Sequence, residues 1–133
     1  MDSRKLIGSG DPVEFVVDID ISNQDLSGDV SVSLVLCDSS MMPLINLSNY
    51  YTGDIIHLEK GQEKLKVSCR LNELQLAEGD YAVEAYLALN GEVQDWIQPA
   101  FMLKVIAGDF YQSGKEPDQK WPLLMRSKWN TSV

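Results

Sequence analysis

Apolar and polar positions alternate through most of the chain. Between residues 13 and 21 every odd position is apolar (Val13, Phe15, Val17, Ile19, Ile21), while Glu14, Asp18 and Asp20 occupy even ones. A period of two sends successive side chains to opposite faces, so this stretch predicts a half-buried β-strand. The pattern returns on even numbers at 30–36 and on odd numbers at 65–71, 81–87 and 101–105. Turn-forming clusters separate these runs at 26–29, 59–62, 77–80 and 90–92, and Asn90-Gly91 supplies the positive φ angles of a tight hairpin.

No segment keeps an apolar stripe at helical spacing for three turns, and residues 72–77 suit one helical turn at most. Five clear strands, with weaker ones around 44–47, 55–58 and 123–129, predict an all-β fold, an antiparallel Ig-like or jelly-roll β-sandwich. Leu76, Gly79, Asp80 and Tyr81 match a tyrosine corner, in which a tyrosine at a strand start bonds to upstream backbone. Tyr81 is therefore expected to be structural. The chain divides into an N-terminal extension (1–9), the sandwich (10–107), a polar linker (108–120) with Gly114 and Pro117, and a C-terminal strand (121–133). That last strand is apolar enough to need a surface, which its own sandwich or a second copy in a swapped dimer would provide.

The 133 residues fit one domain large enough to bury a core without metal or disulfide staples. Twenty acids against eleven bases leave a net charge of −9, concentrated in residues 1–59, where ten acids meet two bases. Such a body is not expected to bind nucleic acid, whose affinity rests on Lys and Arg at phosphates, nor to insert into a membrane. Residues 1–10 lack a secretory apolar stretch and two cysteines make no disulfide framework, so a cytoplasmic location is expected.

Candidate chemistry is sparse. His57, the single histidine, lies in a strand-like piece without a hydrolase signature, and reads as an ordinary strand histidine rather than a catalytic base. Glu14, Asp18 and Asp20 share a strand face, where solvated carboxylates are commoner than a glycosidase pair or a calcium site. Cys37 and Cys69 sit on different strands with different orientations, so no bridge is expected. Gly8-Ser9-Gly10 lacks the Gly-Lys-Ser/Thr ending of a phosphate loop, and no motif calls for a cofactor or metal. The strand faces turned from the core remain: Ser33, Glu84, Tyr86, Lys104 and Arg70, joined by Arg126 from the tail. Tyrosine beside hydroxyls and charges suits a sugar, whose C–H faces stack on rings while its hydroxyls bond polar groups. An ordinary wet sheet face has the same composition, so the residues alone reach a non-catalytic binding module.

The order of the pieces goes further. Gly10-Asp11-Pro12-Val13-Glu14 opens the first strand, Asn49-Tyr50-Tyr51-Thr52 precedes a weak one, and Gly79-Asp80-Tyr81 and Gly108-Asp109-Phe110 come late, before a terminal Trp129. From about residue 10 to 129 the chain resembles the C-terminal carbohydrate-binding domain of Wzt-type ATPase subunits of O-antigen ABC transporters. The resemblance implies a cytoplasmic domain, excised from a subunit whose nucleotide-binding part works with transmembrane partners. It also implies recognition of the capped non-reducing terminus of O-polysaccharide, and a homodimer that exchanges its last strand. Walker motifs are absent, so no enzymatic activity is expected of this chain, whereas the full subunit would be an ATPase. The family's contact residues vary with the glycan, and the six candidates rest on strand parity. An anionic cap would pair with Lys104, Arg70, Lys66 or Arg126. An Ig-like structural or protein-docking domain is the competing reading, and a glycoside hydrolase is a third.

Overall fold

The computed structural model describes residues 5–20 and 26–132. Along these run β1 (Lys5–Gly8), β2 (Val13–Asp20), β3 (Gly28–Cys37), β4 (Pro43–Ser48), α1 (Asn49–Thr52), β5 (Ile56–Leu58), β6 (Lys64–Leu71), β7 (Gly79–Leu89) and β8 (Glu92–Ile106). Ile21, expected to end the first strand, lies outside the described residues. The larger sheet has the order β1-β8-β7-β3-β4, with β5 also pairing β3, and the smaller consists of β2 and β6. No helix among the described residues is long and apolar enough to cross a membrane.

Strand parity builds the core as the alternation predicts. Even residues of β3 (Val30, Val32, Leu34, Leu36) and odd residues of β7 and β8 (Tyr81, Val83, Leu103, Val105) pack against Val13 and Phe15 of β2. The rings of Phe15 and Phe101 meet at 5.8 Å and fasten one sheet to the other. Each fully buried leucine here contributes ~1.5–3 kcal/mol relative to an exposed one. The tyrosine corner is present: the Tyr81 hydroxyl donates to the Ala77 carbonyl at 2.7 Å, buried.

Several elements differ from the expectation. Residues 5–8, assigned to an extension, form β1 and pair in parallel with β8, so the larger sheet is mixed rather than wholly antiparallel. Ile7 packs against the core from there. The Ser9 N–H bonds the Ile106 carbonyl at 2.9 Å and its hydroxyl the Leu76 carbonyl at 2.6 Å, which carries the chain across to β2. Strand β8 begins at Glu92, well before residue 101; Val83 pairs Phe101 but Ala85 pairs Ile97, so extra residues bulge out of β8 around Pro99. A proline lacks the ladder N–H and is tolerated at such a bulge.

Residues 72–77 form no helical turn. They run between two neighbours, with Leu74 bonded to the backbone of Gly10 and Asp11, and Gln75 and Ala77 bonded to Leu124 and Pro122. Those bonds replace intrahelical ones and bury Leu74 and Leu76 completely. The tail meets this segment in one isolated bridge, Leu76 with Leu123, and is otherwise irregular rather than a regular strand. Phe110, Leu124 and Ala77 make a small second cluster that holds it there.

Candidate functional site

The parity that sends Leu34, Leu36, Val83 and Ala85 inward turns Ser33, Val35, Cys37, Glu84 and Tyr86 to the outward face of the larger sheet. Register then sets positions on neighbouring strands side by side. Ser48 of β4 lies opposite Ser33 of β3, which lies opposite Tyr86 of β7, and Trp96 of β8 occupies the next register position. Neighbouring strands are ~4.8 Å apart, so this row spans ~14 Å across the sheet.

Glu84 is the centre of the face. It is 6 % exposed although its side chain points away from the core, on the strand that lies between β3 and β8. The Tyr86 hydroxyl donates to one carboxylate oxygen at 3.1 Å, and the Cys37 thiol donates to the other at 3.7 Å. Burial, and then the bond to Glu84, hold the Tyr86 phenol above its ordinary range. Burial and the Glu84 charge likewise push the Cys37 thiol up. Both groups thus stay protonated donors near neutral pH, and the aromatic ring is fixed at the surface by a buried carboxyl beneath it.

The other sequence candidates scatter. Lys104 shares this face, in register with Asp80, ~13 Å along β7 from Glu84. Arg70 belongs to the outward face of the smaller sheet and bonds Glu14 at 3.0 Å. There the carboxylates of β2 meet a ladder of bases on β6, Glu14 opposite Arg70, Asp18 opposite Lys66 and Asp20 opposite Lys64. Opposite charges across an antiparallel pair explain that acidic strand without catalysis. Arg126 bonds Glu73 through three contacts of 2.7–3.3 Å and lies 4.4 Å over the Phe110 ring, clamping the tail. Ser33, Glu84 and Tyr86 are therefore brought together, with Lys104 on the same face, and Arg70 and Arg126 are not. His57 is half exposed, its Nδ1 3.1 Å from Asp29 and Nε2 3.9 Å from Glu59.

A cleft of about 280 Å³ also opens between the sheets, bordered by Val17, Ile19, Val32, Leu65, Leu87 and Asp95 among others. Two strands do not cover six, and the aliphatic end of the core is left open there. Asp18, Asp20, Gln94 and Tyr86 also border it, so it meets the outward face at Tyr86, and that face, where Ser33 and Glu84 lie beside the same ring, is the better candidate for a polar ligand.

A family model for the Wzt C-terminal domain matches residues 2–117. The chain belongs to that family. A crystal structure titled as the C-terminal domain of wzt superposes with a TM-score of 0.73 at 12 % identity, covering 95 % of this chain and 73 % of that one. At that identity the likeness shows a common fold. No curated protein matches the sequence. Within this Wzt C-terminal domain, sequence reasoning missed Cys37 as a partner of Glu84 and Ser48 as the next member of the row. Both follow from outward parity once the register of β3 with β4 and β7 is known; the alternation carried parity but not register.

Proposed function

We propose that this domain is the glycan-recognition module of an O-antigen ABC exporter, binding the capped non-reducing terminus of the polysaccharide on the outward face of its larger sheet. The observation that carries the reading is the Ser33–Tyr86 pair over the buried Glu84, in a chain of the Wzt C-terminal domain family. The mechanism is binding without bond-making. A fixed aromatic ring takes the C–H face of a pyranose, and serine hydroxyls bond its hydroxyls. Affinity per site is modest, since exposed hydrogen bonds to sugar replace those to water.

The charge on this face refines the expectation for the cap. Arg70 and Arg126 are committed elsewhere, and Glu84 would repel an anion placed beside Tyr86. The sugar over Tyr86 is therefore a neutral one, and an anionic cap would lie toward Lys104. Coupling to export falls to the rest of the subunit, an ATPase at the cytoplasmic side of the membrane with transmembrane partners. Trp121, Leu123, Met125 and Trp129, exposed along the tail, suit a homodimer in which a second copy covers them, and two sites would raise effective affinity. The same exposed tail favours the alternative, a protein-docking domain without glycan binding.

Calorimetric titration of the purified domain with capped and uncapped O-polysaccharide tests the reading. Binding of the capped form alone, weakened at least tenfold by Tyr86→Ala, is expected. Silence toward both forms from a folded sample would leave the docking domain standing instead.

A further inference from the structure

The helical turn α1 is built more firmly than its four residues require. Ser48 accepts the Tyr50 N–H at 3.2 Å, and the Gly53 N–H, at a φ of 79°, closes the turn on the Asn49 carbonyl at 3.0 Å. The Asn49 side chain accepts the Val32 N–H at 2.7 Å and donates to the Val30 and Asp54 carbonyls, each at 3.0 Å. It thereby takes the place of a strand where the edge of β3 lies between its pairings with β4 and β5. Thr52 adds a 2.7 Å contact to Asp54. This locked turn displays Tyr50 and Tyr51, each 74 % exposed, with their rings edge to face at 5.7 Å. The core gains nothing from either ring, and neither hydroxyl is bonded among the described residues. Rigid aromatic side chains held in water lose little conformational freedom when a ligand covers them, which is how binding surfaces use tyrosine.

Place supplies the second observation. Ser48 ends the cross-strand row of Ser48, Ser33 and Tyr86, and the chain passes from it directly into Tyr50 and Tyr51. Two strand spacings, ~10 Å, separate Ser48 of β4 from Tyr86 of β7, about the length of a disaccharide, and Tyr50 and Tyr51 follow Ser48 by two and three residues. We infer that Tyr50 and Tyr51 form a second aromatic subsite, which takes an internal sugar of the same glycan strand whose terminal sugar lies over Tyr86. The inference rests on the proposed glycan reading and deepens it: the ligand is an oligosaccharide segment laid across the strands, not a single capped sugar.

The test uses capped fragments of the O-polysaccharide, from the terminal monosaccharide to the tetrasaccharide, titrated calorimetrically into the wild-type domain and the Tyr50→Ala/Tyr51→Ala double variant. Wild-type affinity should rise when the fragment reaches two to three sugars. The double variant should lose about tenfold for those longer fragments, as expected for one stacking contact, and keep the monosaccharide affinity. Tyr50→Phe/Tyr51→Phe should restore most of the loss, and thermal unfolding of all variants should match wild type because both rings are exposed. Equal affinities of wild type and double variant for every length would overturn the second subsite while leaving the terminal site intact. An equal loss at every length, the monosaccharide included, would overturn it too, by placing the terminal sugar at the turn. If the wild type binds no fragment and no polysaccharide, the glycan reading itself fails, and this inference with it.

Discussion

Replacing Tyr81 by Phe separates the tyrosine that builds the domain from the one assigned to binding. The ring at position 81 is 3 % exposed and packs in the core, so Phe keeps its packing. What disappears is the 2.7 Å bond to the Ala77 carbonyl. Ala77 is fully buried, and its N–H already holds Pro122, so the loss strands an acceptor where the tail joins the body. Leaving a buried acceptor unsatisfied costs ~1–3 kcal/mol. With a urea dependence of ~2 kcal/mol per molar for a domain of this size, the midpoint of unfolding should fall by ~0.5–1.5 M. Glycan affinity should not change, because the side chain faces the core while Tyr86 faces outward. Urea melts followed by tryptophan fluorescence, paired with calorimetry, read both quantities. A midpoint within ~0.2 M of wild type would refute the assignment of structural weight to this bond. A folded variant that no longer binds would refute the division of labour between the two tyrosines.

Burial raises the pKa of Cys37, Cys69, Tyr81 and Tyr86, with Glu84 adding to the shift at Cys37 and Tyr86, and Asp38 adding at Cys37 and Tyr81. The unfolded chain releases these protons first, near ~8.5 for thiols and ~10 for phenols, so stability should be complete below that range and fall as pH rises through it. Urea midpoints that stay level from pH 7 to 10.5 would contradict this. Gly108→Ala drives a Cβ into the Ser9 carbonyl oxygen, a backbone atom that cannot step aside, and should cost ~1–3 kcal/mol in chemical denaturation. Asn49→Ala removes three bonds that finish the edge of β3, and should lower stability by ~1–3 kcal/mol and, on the reading above, weaken binding of longer fragments. Arg70→Ala should leave glycan affinity as it was in the same calorimetric titration, since that guanidinium serves Glu14 within the smaller sheet; a loss of affinity would move the site there.

How much of this was legible in advance varies with the element. The long strands declared themselves because Val13–Asp20, Gly28–Cys37 and Lys64–Leu71 each bury one face, and burial of one face imposes alternation on the residues. Strand β1 did not, since its span is four residues, with Ile7 packing inward, and no alternation has room to develop. The first half of β8 did not either, since residues 92–100 carry no run of period two, and the bulge that carries Pro99 comes from its pairing with β7. At the face, parity selected Ser33, Glu84, Tyr86 and Lys104 together, yet the same parity also selected Arg70, which belongs to another sheet.

Local chemistry alone was sufficient for the all-β class, the inward and outward sets of β2, β3, β6 and β7, the turns between them, the tyrosine corner and the excess of acid that disfavours polyanions. These properties depend on neighbours a few residues apart, and a period of two or a glycine in a turn acts at that range. Tertiary structure decided which strands lie side by side, and with it everything that depends on register. Glu84 becomes a buried acceptor only because β3 brings Cys37 beside it at long range, while Tyr86 follows two residues along its own strand. Arg126 becomes a clamp only because the tail returns to Glu73. Tyr50 and Tyr51 become a platform only because Asn49 fills a gap in an edge formed elsewhere in the chain. Register is set by how two sheets share one core, a competition among all the strands at once, and no single stretch of sequence carries it.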